Sequence, residues 1–206
     1  FGLVTGVLSK DYKIIPQEQI FNKLYSKKDI EFVSGSLTHE YMRTDFNFSS
    51  EYTGSLQTSD IGMSSIIMVI YGEEDGVRYP VLNALEMRHI GDADITAFDV
   101  ALDRVEGLLK QKEEVIETLK KTPIVHKENA AFNLGTYLDV KDEIKNNFAF
   151  LLSMNTEATL WDLYVAGAYM IQENGADKEN KEKRLLNTLT GSFSWKEFDT
   201  LAKFSR

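Results

Sequence analysis

Three histidines are the first side chains to consider for chemistry, because imidazole changes its charge near neutral pH and binds metals. They are His39, His89 and His126. Their spacing forms neither an HExxH pair on one helical face nor an HxH pair on a strand, the arrangements that metal sites use. We therefore interpret His39 and His126 as structural or surface residues. His89 follows Arg88 near the end of a predicted strand, so we expect it to contact an anion.

Carboxylates cluster at two places along the chain. Residues 73–75 (Glu-Glu-Asp) are consecutive, so their side chains diverge in a turn, and a solvated hairpin tip explains them best. Asp92 and Asp94 precede a predicted helix, where N-capping and the helix dipole account for acidic residues. An enzyme that uses a metal is left open as an alternative, with Asp60, His89 and Asp92 as its ligands.

The sequence lacks the common signatures of nucleophilic and nucleotide-dependent enzymes. It has no GxSxG motif, no SxxK with its usual companions, and neither of the glycine-rich phosphate loops, GxxxxGK[ST] and GxGxxG. It also has no cysteine, which removes a disulfide framework, a thiolate metal site and a cysteine nucleophile. We therefore assign no catalytic residue, no metal ligand and no cofactor from the sequence.

Basic residues offer the remaining chemistry, which is the binding of phosphate groups. The candidates for nucleic-acid contact are Arg43, Arg78, Arg88 and His89. Arg78 is predicted to lie near Arg88 and His89, on two neighbouring strands of one hairpin. Arg43 is close in sequence to Phe46, and an aromatic ring beside a cation is a platform on which unpaired bases stack. The alternation of this strand places Phe46 on the face opposite Arg43, so we favour a core position for the ring.

The elements that must position these side chains begin with short strands. Alternating and β-branched residues predict strands at 2–8, 30–37, 41–48, 65–71 and 77–85, and a short strand or turn at 11–15. Gly35 is expected to form a bulge, and Pro80 to interrupt the last strand. Pro16 suits the first turn of a helix at 16–26. The polar segment 49–59 is interpreted as a loop.

From Asp94 the apolar period changes from 2 to 3.6, which predicts a long helix that ends at Thr122-Pro123. Further helices are predicted at 137–152, 160–173, 178–189 and 194–204. Thr159 and Asp162 have the pattern of a capping box, and Asn174-Gly175 supplies the stop of that helix.

Together these elements predict an α+β fold, in which a curved antiparallel sheet of five or six strands carries a long helix across it and a helical C-terminal part follows. We expect residues 1–121 to form the sheet-plus-helix core and residues 122–206 to be helical and packed as one unit with it. No run of residues reaches the length of a membrane-spanning helix. The chain begins with Phe1 rather than Met, which we interpret as a processed or truncated product.

The charge balance is acidic along the whole chain. The formal net charge is −9; residues 1–94 carry 8 Lys and Arg against 14 Asp and Glu, and residues 95–206 carry 15 against 18. Proteins that bind nucleic acid tightly through electrostatics normally have a basic footprint. The global balance therefore disfavours nucleic-acid binding, although a local basic groove is compatible with it.

Four segments carry a resemblance to a known family. They read SKDYKII at Ser9–Ile15, SDIGMS at Ser59–Ser64, RHIG at Arg88–Gly91 and TLWDLYVAGAY at Thr159–Tyr169. In this order they resemble the uncharacterised phage/plasmid-like protein family of bacteriophages and other mobile elements. The resemblance implies the cytoplasm of a bacterial host cell, or a virion, as the setting. The order of sheet and long helix is also similar to that of phage single-strand annealing proteins.

Two functions of different classes follow from these observations. The first is a phage or plasmid protein without catalytic activity that binds or anneals single-stranded nucleic acid in recombination, as a homo-oligomer. The second is an acidic interaction protein, either a virion component or an inhibitor of a host defence protein, whose partner is a basic host or phage protein. The electrostatic surface of the folded chain is the property that separates them.

Overall fold

A computed structural model describes residues 10–38, 41–59, 65–90 and 94–203 of the chain. The strand predicted at 2–8 lies outside the described residues, as do His39, Asp60 and Asp92. Among the helices of the described part, none combines the length and the apolar character that crossing a bilayer requires.

In the described part of the chain, five strands form one antiparallel sheet. They are β1 (Glu31–Leu37), β2 (Met42–Asn47), β3 (Thr53–Thr58), β4 (Ile66–Glu74) and β5 (Val77–Met87). Their order in the sheet is the order in the chain. Together with the helices described below, this sheet confirms the predicted α+β class.

The segment predicted as a loop at 49–59 contains a strand, β3, so that prediction was wrong. The only large apolar residue of β3 is Leu56, which is buried. Its neighbours are polar or small, so the sequence shows no alternation of apolar and polar residues. The strand exists because β2 and β4 both pair with it, as in Thr44 opposite Leu56 and Leu56 opposite Met68. Pairing with the strands on both sides decided this element, and its own composition does not show that pairing.

Smaller expectations about the strands had mixed outcomes. The irregularity of β1 falls between Phe32 and Ser34 rather than at Gly35. Pro80 does not interrupt β5, which runs on to Met87, but β5 is an edge strand of the described sheet, where a proline is tolerated. The segment 11–15 begins in a turn, one of the two expected alternatives, and Tyr12 forms an isolated bridge that is described with the site below.

The helices are α1 (Gln17–Tyr25), α2 (Ile95–Lys121), α3 (Lys127–Tyr137), α4 (Asp142–Met154), α5 (Leu160–Asn174) and α6 (Lys178–Asn187), with a short 3-10 turn at Trp195–Glu197. The predicted helices at 16–26, at 160–173 and from Asp94 to 121 are confirmed. Asp94 caps α2, because its Oδ1 accepts a hydrogen bond from the amide of Ala97 at 2.8 Å. The capping box of Thr159 and Asp162 is formed, and Gly175 ends α5 in the left-handed conformation.

Two helix predictions differ from the structure in the C-terminal half. The helix expected at 137–152 corresponds to α4, which begins five residues later. Asp139, with φ of 56°, separates α4 from α3, and the sequence did not predict α3. The expected helix at 194–204 is a single 3-10 turn followed by irregular chain. The buried side-chain amide of Asn133 in α3 donates to the carbonyls of Phe198 and Ala202, so backbone groups of this segment bond to another helix.

The chain forms two compact units. The first contains residues 1–72 and 82–109, and the second contains residues 73–81 and 110–206. The predicted division at residue 121 and the packing of the two parts as one unit stay predictions.

The core of the first unit lies between one face of the sheet and two helical segments. Fully buried side chains of the sheet, such as Phe46, face this core. Tyr25 of α1 reaches the same face, where its hydroxyl lies 2.7 Å from the hydroxyl of Thr44. Lys23 of α1 forms a salt bridge with Asp99 of α2 at 3.0 Å, which ties the two helical segments together.

The second unit is built around α5, most of whose side chains are buried. Its Tyr164 hydroxyl donates to the carbonyl of Pro80, and the indole of Trp161 donates to a carboxylate oxygen of Glu74 at 3.0 Å. Asp199 accepts hydrogen bonds from the amides of Val125 and His126. The bond to His126 satisfies the amide of the N-cap residue of α3, which the helix leaves without a partner, and the bond to Val125 fixes the residue before it.

Candidate functional site

The segment 10–15 lies against the end of β5. Several hydrogen bonds hold it there, although the segment itself has little regular secondary structure. Tyr12 and Ile90 form an antiparallel bridge. The amide of Lys13 donates to the carbonyl of His89 at 2.7 Å, and the Lys13 carbonyl lies 3.1 Å from Nδ1 of His89. The Tyr12 hydroxyl donates to the carbonyl of Ser59 at 3.1 Å. Three segments that are distant in sequence therefore meet here.

The rings of Tyr12 and His89 stack on one another. Their centroids are 4.9 Å apart and their planes differ by 15°. Because a carbonyl oxygen can only accept, the short contact to Lys13 places the proton of a neutral imidazole on Nδ1. Nε2 is buried and has no hydrogen-bond partner among the described residues. This imidazole is held by one hydrogen bond and by the ring above it.

Burial separates the two rings clearly. His89 is only 4% exposed, whereas Tyr12 is half-buried. The exposed part of the stacked pair therefore belongs to Tyr12. His89 was expected to contact an anion directly, but this burial suits support of the Tyr12 ring better than contact with a ligand.

Exposed cations and apolar side chains are the chain neighbours of this pair. Lys10, Lys13 and Arg88 are exposed, and Ile14 and Ile90 are 65% and 51% exposed. We call the set of Tyr12, His89, Lys10, Lys13 and Arg88 the Tyr12 junction. Asp11 is an exposed carboxylate within the same segment. The junction combines a partly open aromatic ring with three positive charges, a combination that can bind phosphate and stack on a flat ring.

Arg43 lies on β2, and its register partner Gln57 is two residues from Ser59 in the chain. It is half-buried, opposite Gln57 of β3, and its Nε is 3.9 Å from Oδ1 of Asp45. Its strand alternates as predicted, since Phe46 is fully buried on the other face. The neighbouring carboxylate offsets the charge of Arg43, so this position has a weaker attraction for phosphate than the junction.

Arg78 was expected beside Arg88 on a neighbouring strand, and this expectation was wrong. Both residues belong to one chain segment, because β5 continues from Val77 through Pro80 to Met87 and Arg88 follows directly. Arg78 is half-buried and lines a cavity of about 20 Å³ in the second unit, together with Gln172, Glu182 and other residues. A cavity of this size accommodates about one water molecule.

The sequence pointed to Arg88 and His89 but missed Tyr12, Lys10 and Lys13. One signal in the sequence could have pointed to these residues, which is the resemblance of three segments to one family. SKDYKII contains Tyr12, SDIGMS begins with Ser59, and RHIG begins with Arg88. Nothing local indicated that these three segments meet.

The metal hypothesis depended on Asp60, His89 and Asp92. Two of these residues lie outside the described part of the chain, so the hypothesis stays a prediction. Among the residues that the structure does describe, no group of three or more His, Cys, Asp or Glu side chains could hold a metal ion.

The chain matches no protein-family model, no curated protein and no solved structure. The resemblance to the phage/plasmid-like family therefore stays a prediction.

Proposed function

We propose that the chain is a phage or plasmid protein that binds single-stranded nucleic acid without altering it chemically, in the cytoplasm of a host cell or in a virion. Arg88, Lys10 and Lys13 contact phosphates in this proposal. The observation that supports it is the Tyr12 junction, which holds a partly exposed aromatic ring beside three exposed cations. Proteins that bind single strands without sequence preference combine these two features.

The acidic balance of the molecule limits the affinity that this proposal allows. The first unit has 8 Lys and Arg against 14 Asp and Glu, a net charge of −6, and the second has 15 against 18, a net charge of −3. Long-range repulsion of the nucleic acid is screened within about 10 Å at 0.1 M salt. We therefore expect binding to rest on short-range contacts at the junction and to be modest in strength.

The experiment that tests the proposal is fluorescence anisotropy of a labelled thymidine 30-mer over a series of salt concentrations. Three phosphate contacts predict that log K falls with log salt at a slope of about −2, since each contact on a single strand contributes about 0.7. Arg88→Ala is expected to weaken binding and to reduce the slope by about 0.7. Arg104→Ala is the matched control, because Arg104 is an exposed arginine on α2 in the same unit. A slope near zero, or no binding at low salt, contradicts the proposal.

Annealing adds the requirement that several copies assemble, and β1 is the surface that we assign to this assembly. It lies at the edge of the sheet, and all seven of its residues are exposed. Its exposed apolar side chains are Phe32, Val33 and Leu37. An exposed apolar edge strand can add a strand from another chain. We propose that a second copy of the chain pairs with this edge. Glu31, at one end, is the only charged residue of β1. Two antiparallel copies of β1 therefore place no like charges opposite one another.

An acidic interaction protein is the second candidate, favoured by the excess of carboxylates in both units. Such a protein occupies the basic cleft of a nucleic-acid-binding partner. Capture of a basic host protein that an added oligonucleotide displaces, together with failure of the chain itself to bind the 30-mer, supports this candidate over the first.

A further inference from the structure

Asn174 and Gly175, at the end of α5, form the one Asn-Gly pair of the sequence. Such a pair is reactive in a flexible peptide, because glycine has no side chain to hinder attack by its backbone nitrogen on the preceding side-chain amide. The nitrogen of Gly175 bonds to Cγ of Asn174 and ammonia leaves, which closes a succinimide ring. Water then opens the ring and leaves aspartate or isoaspartate at position 174. The reaction needs no reagent other than water.

The fold engages the groups of this pair that the reaction uses. The amide of Lys141 donates to Oδ1 of Asn174 at 3.2 Å, and Nδ2 of Asn174 donates to the carbonyl of Ala176 at 3.2 Å. A backbone amide can only donate, so the first bond identifies the oxygen of the side chain. The amide of Gly175 donates to the carbonyl of Ile171 at 3.3 Å. Attack requires this amide to lose its proton and the side chain of Asn174 to turn away from both partners.

Burial and backbone conformation hold the pair in this arrangement. Asn174 is 8% exposed, and Gly175 ends α5 in the left-handed conformation with φ of 67°. Lys141 is the N-cap residue of α4, so the side chain of Asn174 joins the end of α5 to the start of α4. The pair can therefore react only after these two helix ends separate.

We propose that Asn174 is a deamidation site that the native fold keeps unreactive and that local opening at the end of α5 activates. This inference goes beyond the proposed function and does not depend on the binding of nucleic acid. Because the ammonia leaves, each opening that leads to reaction is recorded permanently. The new carboxylate has no proton to donate to the carbonyl of Ala176, and it places a charge where the side chain is 8% exposed, so the product opposes reclosure.

The first test follows deamidation of wild type at position 174 by mass spectrometry of tryptic peptides, in buffer and in urea at the same mildly alkaline pH. The rate in urea is expected to exceed the rate in buffer at least about ten-fold, because reaction in buffer follows the small population of the open state. Equal rates overturn protection by the fold. Absence of reaction in urea shows that the pair itself is unreactive and overturns the proposal as well.

The second test removes one bond of the closed state. Lys141→Pro deletes the amide that donates to Asn174, and the φ of −59° at Lys141 already suits proline. Deamidation in buffer is expected to become about five-fold faster, as the loss of one hydrogen bond predicts. Lys141→Ala is the matched control, because it keeps the amide and is expected to react like wild type. Equal rates for the two variants contradict the role of this bond, and the comparison of buffer with urea stands if Lys141→Pro fails to fold.

The third test concerns the product. Asn174→Asp is expected to shift the urea midpoint of unfolding to a lower concentration, because the carboxylate cannot remake the bond to Ala176. Asn146→Asp is the control, since Asn146 is an exposed asparagine of α4 in the same unit, and its midpoint is expected to stay near that of wild type. An unchanged midpoint for Asn174→Asp overturns the claim that deamidation opposes reclosure.

Discussion

Residue by residue, the candidate cations differ in what lies beside them. Arg43 has the carboxylate of Asp45 within 3.9 Å, and Arg78 lines a cavity in the second unit. Arg88 is exposed at the end of β5, where the 10–15 segment adds Lys13. The residue type was therefore a poor guide to the site, and the neighbours of each residue decide which cation can meet a phosphate.

The hydroxyl of Tyr164 makes the free energy of unfolding depend on pH in the alkaline range. Burial raises the pKa of Tyr164 well above its ordinary value of 10.0, and the carboxylate of Glu182 raises it further. The hydroxyl is thus harder to ionise in the folded chain than in the unfolded chain. Its contribution to stability is complete below about pH 10 and is lost as the pH rises above that value.

We expect the free energy of unfolding of wild type to fall more steeply above pH 10 than that of Tyr164→Phe, measured by urea denaturation at several pH values. At neutral pH the variant is expected to be less stable by about 1 to 3 kcal/mol, because the buried carbonyl of Pro80 loses its donor. Parallel pH curves for the two proteins contradict this account of Tyr164.

Some residues of the candidate site could be predicted from the sequence. Arg88 and His89 stood out because a basic pair at a strand end is a local pattern. Tyr12 and Lys13 did not stand out, because their importance comes from contacts with residues 47 to 78 positions away. Neither the orientation of the imidazole nor its burial follows from any local pattern, since both depend on the Tyr12 ring above it.

Among the elements of the first unit, the pairing of β2 with β3 depends on a close approach at Gly54. This residue lies opposite Phe46, and a Cβ atom at position 54 would overlap the Phe46 ring. Gly107 offers the opposite case, because a Cβ there meets nothing within 4 Å and the residue lies inside α2.

Gly54→Ala is therefore expected to lower the free energy of unfolding by about 1 to 3 kcal/mol, because the Phe46 ring has to move. The control Gly107→Ala is expected to raise it by about 0.5 to 1 kcal/mol, since alanine favours helix over glycine. Both are measured by urea denaturation. Equal effects of the two substitutions rule out a special role for Gly54.

Elements whose signals are local were predicted well, and elements that depend on partners were not. The helix α5 has a capping box, an apolar run and a glycine stop within its own sequence. The strand β3 has one large apolar residue and exists through its two neighbours. The end of the chain near Phe198 is irregular because Asn133 bonds to its carbonyls, a contact that sequence spacing cannot indicate.

The assembly of several copies that we propose depends on the edge strand β1. We expect light scattering of wild type to give a mass that increases with protein concentration. Val33→Lys is expected to shift the equilibrium toward the monomer, because a lysine on an edge strand opposes strand addition. Val100→Lys is the control, since Val100 is also an exposed valine of the first unit. A monomer at all concentrations, or equal effects of both substitutions, contradicts the assignment of β1.

The net charge of −9 describes the whole molecule and gives no indication of where a basic site lies. Sequence counts predicted an unfavourable electrostatic balance for nucleic acid, and they could not show that the chain segments of three exposed cations pair with each other. The fold decides this, because it brings Lys10 and Lys13 to the same strand end as Arg88.

The most direct test of the proposed function is lysine footprinting by mass spectrometry with and without a saturating thymidine 30-mer. Lys10 and Lys13 are expected to become protected from acetylation, because they contact phosphates in the proposed complex. Lys28, an exposed lysine of the same unit, and Lys121 of the second unit are expected to react equally in both samples. Protection of Lys28 or Lys121 with unchanged reactivity of Lys10 and Lys13 would contradict the assignment of the Tyr12 junction as the nucleic-acid site.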